Sequence, residues 1–382
     1  MAISALFAFL LLGDWPHYRG PDYNGIAVGS LHQKPLETAW TGQVGTGFSG
    51  IVVAEGRVIT MGNEGNHDLV FCLDLASGKE LWRYSYSEPL NPNMYEGGPN
   101  ATPTVHGNRV FTLSKSGLML ALDAKTGKVL WQRRAAEFDA KPPIWGFAGS
   151  PTVFGDLVLF NVGDHGLALR MADGTQQWSS GGPGAGYATP IPLTDGKTAL
   201  LLAGSSLFAL NASSGDVVWR YEWKTAYDVN AASPILLGTK VFISSGYGHG
   251  CALLDISGEV PKLVWENKSL RSHFNSAVAK DGHIFGLDGQ SGSRSRLVCI
   301  SAQDGRVVWE QTGMRFGSVL AVSDTLVVLE ERGTLIRAHL DPAGYREIAR
   351  QELHEKKCWT VPTFADGSLF TRDARGTLLR LN

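Results

Sequence analysis

Along most of the chain, apolar residues recur at every second position in short runs, each stopped by Gly, Pro, Asn or Asp. Arg109–Ser114 (RVFTLS) followed by Leu118–Asp123 (LMLALD) is a representative pair. A period of two predicts strands, and no stretch holds the i, i+3, i+4, i+7 spacing of an amphipathic helix. The strand runs recur in groups. CLDLASGKELW ends at Trp82, ALDAKTGKVLW at Trp131, ALRMADGTQQW at Trp178, ALNASSGDVVW at Trp219 and CISAQDGRVVW at Trp309. A looser copy, LLDISGEVPKLVW, ends at Trp265, and AHLDPAGYREI reaches Ile348 where Trp would fall. Successive ends lie about 40 to 50 residues apart, the period of propeller blades.

Each group opens on a proline-bearing segment: ATPTV (Ala101–Val105), GSPTV (Gly149–Val153), ATPIP (Ala188–Pro192), ASPIL (Ala232–Leu236) and TVPTF (Thr360–Phe364). Proline has no N–H to give a ladder, so this strand is expected to be an irregular edge, the innermost one beside a channel. Gly78, Gly127 and Gly215 fall in the turn before the last strand, where a hairpin calls for φ > 0. Four strands per group and no helices predict an all-β chain, an eight-bladed β-propeller with four-stranded antiparallel blades. Seven groups end between Trp82 and Ile348. The C-terminus then offers three strands, Thr360–Thr363, Ser368–Arg372 and Thr377–Leu381. The fourth is expected from the other end, in Leu36–Trp40 (LETAW) within residues 35–41. Closing the last blade with N- and C-terminal strands removes a free sheet edge and locks the ring.

Ile3–Leu12 is a continuous apolar run. As a helix it covers only about 15 Å, half a bilayer core, so no spanning helix is expected there or elsewhere. Its length suits the hydrophobic region of an export signal, which makes residues 1–13 signal-like and residues 14–382 one domain, periplasmic or secreted. No basic residue precedes the run and no A-x-A site closes it, so a buried N-terminal strand is the other reading. Lys+Arg at 34 against Asp+Glu at 36 gives no electrostatic reason to expect nucleic acid or an anionic membrane as partner. Cys72, Cys251, Cys299 and Cys358 form no C-x-x-C pair, which leaves zinc ribbons, redox motifs and haem attachment without support. Cys72 and Cys299 stand where other copies have Ala, as small core residues would.

Ala121-x-Asp123-x-x-Thr126-Gly127-x-x-x-Trp131 resembles in full the tryptophan-docking motif of the PQQ-like (quinoprotein-type) β-propeller repeat, and the other copies match it in part. Trp15-Pro16-His17-Tyr18-Arg19-Gly20-Pro21, followed by Asn24-Gly25, is similar to the N-terminal signature of secreted propellers in that group, which is related to the outer-membrane assembly propeller family. The resemblance covers residues 14–382 and implies a fold rather than an activity. It implies that the tryptophans pack between blades, and the WPHYRGP segment is expected to clamp the ring. PQQ is the one cofactor it brings in. A quinoprotein dehydrogenase would carry adjacent cysteines over the quinone, an acidic base and carboxylate or amide ligands for calcium. This chain has no Cys-Cys pair, and no such residue maps onto a motif here, so no catalytic residue, metal ligand or cofactor contact is assigned. No cysteine follows the apolar run to carry a lipid, which weighs against a role in the outer-membrane assembly machinery.

GTGFSG (Gly45–Gly50) has the form G-x-G-x-x-G but leads into a strand, with no helix N-terminus to face a pyrophosphate. His67, His165 and His249 sit in comparable loops of blades one, three and five. Those blades are not neighbours, so solvated loop residues are expected rather than convergent zinc ligands. Residues just before each inner strand should ring the mouth of the channel: Tyr95, Glu96, Trp145, Tyr187, Asp228, Asn230, His273, Asn275, Arg315 and Trp359. Aromatics with a few convergent polar groups typify ligand sites, although such loop aromatics also serve as packing between blade tops. Two functions stay open. One is an exported, non-catalytic propeller, a monomer or part of a complex, that binds a protein partner or small ligand on this top face. The other is a divergent quinone- or metal-dependent oxidoreductase of the PQQ-dependent dehydrogenase type. The first needs only the ring and is preferred.

Overall fold

Eight four-stranded antiparallel sheets stand around a central channel as an eight-bladed β-propeller, in a computed structural model that describes residues 13–93 and 95–382. The apolar run Ile3–Leu12 lies outside the described residues. Blade one runs from channel to rim as Val52–Ala54, Arg57–Glu64, His67–Asp74 and Glu80–Ser87, here strands A to D. The same order repeats around the ring. Strands B and C do not show the expected one-sided burial: Val110 to Leu113 and Leu118 to Leu122 are all buried. Each blade is covered on both faces by its neighbours, so only the D strands alternate, with Trp82 inward between Leu81 and Arg83 outward. No helix among the described residues is long and apolar enough to cross a membrane.

The two-ended closure is present. Thr38–Gln43 pairs antiparallel with Thr377–Leu381 in the last blade. Pairing begins with the Glu37 N–H donating to the Asn382 carbonyl, so the strand runs past Trp40 to Gln43 instead of ending at residue 41. The inner strand of that blade is Thr363–Ala365 rather than Thr360–Thr363. Pro362 sits ahead of it, as Pro103 and Pro151 sit ahead of Thr104–His106 and Thr152–Phe154. The proline is thereby kept out of the ladder. In blades two to five the Ser or Thr before the proline has its own task. Gly50 N–H donates to Thr102 Oγ1 (3.2 Å), Thr102 N–H to Ser150 Oγ (3.0 Å), and Ser150 N–H to Thr189 Oγ1 (3.0 Å). Thr189 and Ser233 continue the stitch to Ser276.

Tryptophans dock blade to blade. Trp131 Nε1 donates to the Met171 carbonyl at 3.0 Å, and the indole lies on Gly174 (φ 70), where a Cβ would come within 2.7 Å of the ring. Trp40, Trp82, Trp178, Trp265 and Trp309 make the same bond to the next blade. Trp219 faces the lengthened turn of blade five and makes none among the described residues. All four cysteines are buried free thiols, as the Ala-like positions of Cys72 and Cys299 implied for those two.

The N-terminal segment clamps the ring as expected, and does so from within it, as a plug. Trp15 bridges Val53 in blade one, and the Pro16 carbonyl accepts from Val105 N–H in blade two. Arg19 donates to the Ser276 and Ala277 carbonyls of blade six. Ile26–Ala27 then adds a parallel fifth strand to Gly317–Val322 of blade seven. Gly13 and Gly29 bond to Asp366 and Ser323, in the A–B turns of blades eight and seven. The segment thus closes the channel at the A–B-turn end and leaves the other end open.

Candidate functional site

The open end is a blind funnel of about 720 Å³, within the size range of small-ligand pockets. Its floor is the plug residue Tyr18, whose hydroxyl lies 3.4 Å from Ser276 Oγ, together with the inner hydroxyls Thr102, Ser150, Thr189 and Ser233. Its wall is an aromatic belt drawn from several blades, because the segment before each A strand crosses the top face. Phe48 stacks on Trp359 (centroids 4.8 Å), Tyr95 lies 5.8 Å from Phe48 and 6.2 Å from Trp145, and Phe274 lies 4.8 Å from Trp359. Tyr247 meets His273 edge to face at 4.9 Å.

Charge is confined to residues 331–332 and 355–357, where Arg332, Glu355 and Lys356 make no ion pair among the described residues and the other two are committed. Lys357 Nζ sits 4.3 Å over the Trp359 ring, a cation–π geometry, and pairs with Glu96 at 2.9 Å. Glu331 accepts from Ser291 Oγ (2.8 Å), Gly292 N–H (3.0 Å) and Trp359 Nε1 (3.3 Å). Burial lowers the His273 pKa to about 4, so the ring is neutral at pH 7, and its Nδ1 is buried with no hydrogen-bond partner. Burial likewise pushes the Tyr187 phenol up to about 12, and its oxygen accepts weakly from Trp145 N–H at 3.5 Å.

Of the ten residues expected at the mouth, Tyr95, Trp145, Tyr187, His273, Asn275 and Trp359 line the funnel. Glu96, Asp228, Asn230 and Arg315 do not. Glu96 points to Lys357 beside the wall. Asn230 is fully buried, donating to the Ala203, Gly204 and Trp223 carbonyls and so pinning a loop crossing. Asp228 takes the left-handed turn position (φ 53) of that crossing. Arg315 ends a long D strand, with its backbone N–H held by Glu330. Asn275, though lining the wall, is tied to His273 N–H and the Leu287 carbonyl.

Several lining residues were not anticipated. Phe48 precedes the inner strand of blade one and obeys the same rule as Trp145, but its place inside GTGFSG drew attention to phosphate instead. Phe274 lies between two candidates. Tyr18 and Tyr247 come from the plug and a B–C loop, where the rule does not reach. The loop histidines stay apart, and among the described residues no group of His, Cys, Asp and Glu is placed to hold a metal. His67 is exposed, but His249 is not the solvated residue expected: it packs edge to face on Trp223 at 4.3 Å.

The funnel does not fit PQQ with its divalent ion. The flat faces of Phe48 and Trp359 cover one another, the lysine over the indole is already paired, and Glu331 is saturated by donors from its own loops.

The family model described as outer membrane protein assembly factor BamB matches residues 28–137 and 67–311 of this chain. An outer membrane protein assembly factor BamB of Bordetella pertussis is 29% identical over 353 residues, covering 89% of this chain and 75% of that protein. Among solved structures, BamB from Moraxella catarrhalis superposes with a TM-score of 0.71 over 91% of this chain and 98% of its own, at 16% identity. A europium-containing methanol dehydrogenase superposes with a TM-score of 0.74 over 94% of this chain and 89% of its own, at 14% identity. At such identities the structural likenesses carry the fold and nothing of the activity.

Proposed function

Because this chain belongs to the outer membrane protein assembly factor BamB family, we propose that it is an exported, non-catalytic propeller that holds a protein partner against its top-face funnel in the periplasm. One observation carries this reading. The channel is stopped by the chain's own N-terminal segment, leaving a blind pocket walled by aromatic rings, with its charged side chains gathered at residues 331–332 and 355–357. Such pockets take the anchoring side chains of a partner, while the polar rim excludes water. The relatives' name describes assembly of outer membrane proteins, and that name supports a role in the same process here. It favours the role that the missing lipidation cysteine had weighed against, since a cysteine bears on anchoring and not on partner capture. The oxidoreductase reading has a shared fold behind it but no set of reacting groups in the funnel.

The test is photocrosslinking in the envelope of the protein's own host. A benzophenone side chain at Tyr95 or Trp145 is expected to capture one discrete protein, and Trp359→Ala should abolish the capture. Crosslinks formed from Lys125 in a C–D turn, but not from the funnel, would move the functional surface to the other face. Native mass spectrometry of the purified protein would show a small ligand in place of a partner.

A further inference from the structure

A second concavity, of about 870 Å³, opens between blades five and six, outside the funnel. Three arginines enter it. Arg271 donates through Nε and Nη2 to the two oxygens of Asp288 (2.8 and 2.6 Å), and Arg296 Nε donates to the same carboxylate at 2.8 Å. Asp288 is 2% exposed, so a buried carboxylate fixes both guanidinium planes while leaving Arg271 Nη1 without a partner. Arg296 also meets Glu310. Arg294 makes no ion pair or hydrogen bond through its side chain among the described residues. Three cations against two acids leave the cleft positive.

Two further features are costly as they stand. The strand register sets Arg294 directly opposite Arg315, and like charges in that position are destabilising. Ser295 is only 5% exposed, lines the cleft, and its Oγ has no hydrogen-bond partner; a buried hydroxyl in that state is a defect unless something meets it. A β-bulge between Ser295 and Leu297 breaks the alternation of the strand, which allows Arg294, Ser295 and Arg296 all to line one cleft. Gly289 is required beside them, since a Cβ there would fall 2.3 Å from Ser295 Oγ. An anion beside Arg294 would relieve that like-charge opposition; the Ser295 hydroxyl, packed against Gly289, lies under the cleft wall and out of its reach.

We propose that this cleft binds a phosphate monoester. Guanidinium groups match phosphate oxygens in charge and spacing, and the unpaired Arg294 side chain with Arg271 Nη1 supplies the donors. Tyr227, 68% exposed and edge to face with Tyr247 at 5.2 Å, gives a flat wall for the organic part of the ester. The site shares Tyr247 with the funnel wall, but its arginines lie outside the funnel.

Phenyl phosphate titrated calorimetrically into the full chain at low salt is the test. One saturable site is expected, weakened about tenfold or more by Arg294→Gln, as loss of a charge-assisted contact implies. Lys125→Gln in a C–D turn, which removes a charge elsewhere, should leave the affinity unchanged. Absence of saturable binding to the unsubstituted protein, or an affinity unchanged in Arg294→Gln, would overturn the assignment.

Discussion

Truncation of Trp131 to alanine measures how much of the ring is held by indole docking. The side chain is 7% exposed, packs 5.9 Å from Phe111 and rests on Gly174 of the next blade. A buried tryptophan removes about 150–250 Å² from water, worth about 4–6 kcal/mol at ~25 cal/mol per Å². Mutational losses for buried aromatics, cavity included, run about 3–5 kcal/mol, and that is the expected cost. Trp131→Phe separates packing from hydrogen bonding. It keeps most of the ring but leaves the Met171 carbonyl, bonded at 3.0 Å, without its donor, for about 1–2 kcal/mol in all. Trp219 is the internal control, being 8% exposed but without an indole bond, so Trp219→Phe should cost less than about 1 kcal/mol. The assay is urea unfolding, read as a shift of midpoint at constant slope. A loss under about 1 kcal/mol for Trp131→Ala, or equal costs for the two phenylalanine variants, would refute the docking argument.

Removing Leu36–Trp40 should bare the edge of the last blade and bring aggregation or proteolysis; an unchanged melting temperature and solubility would count against the two-ended closure. Burial holds His17 and His273 to about 4. The unfolded chain therefore takes up their protons first, and their stabilisation is full above the usual 6.5 and falls as pH drops toward 4. His273→Gln should flatten part of that fall in midpoints measured from pH 7 to pH 4.5. Asp68 runs the other way: burial, with Glu88 nearby, raises it to about 7, so its contribution is full below the usual carboxylate range and is lost as pH rises through 7. Asp68→Asn is expected to unfold later than the parent at pH 8, and a lower midpoint would contradict the buried neutral acid. With added PQQ and calcium, no alcohol or sugar oxidation is expected; clear turnover with an artificial acceptor would overturn the binding reading.

The repeat was legible because Trp and Gly carry it at fixed offsets, and a bond from Trp131 to the next blade needs both. Blade number and the closing strand followed from counting. The prolines were expected within the inner strands but sit just ahead of them, and the neighbouring hydroxyls were not anticipated. A serine before proline looks like any loop residue until the preceding blade's N–H is seen on Ser150 or Ser233. The mouth of the funnel was found where chain order decides it, at the crossings before the A strands. It was missed where topology alone decides it. Nothing local says that Tyr18 lies beneath blade six, or that Asn230 turns inward to carbonyls while Tyr187, at the preceding crossing, faces the funnel.

The least legible feature is how the N-terminal stretch is fastened, and it rests on three buried arginines. Arg19, Arg337 and Arg372 are each no more than 1% exposed, and none pairs with a carboxylate. A buried cation is costly unless its donors are met, and here backbone carbonyls meet most of them, Arg372 Nε being left without a partner. Arg19 reaches Asn24, Ser276 and Ala277, fixing the plug to blade six. Arg337 reaches the carbonyls of His32 and Lys34, fixing the path from plug to closing strand against blade seven. Arg372 reaches Gly45, Ser49 and Met61, fixing the exit from the closing strand to blade one. Desolvation lowers all three, Arg372 to about 10, still charged at neutral pH. Carbonyl oxygens cannot be protonated away as carboxylates can, so these fastenings hold across the range in which the histidines and Asp68 titrate. The floor of the funnel is part of the fastened segment, since Tyr18 neighbours Arg19. The ring is therefore closed, and the pocket floored, by one continuous stretch of chain.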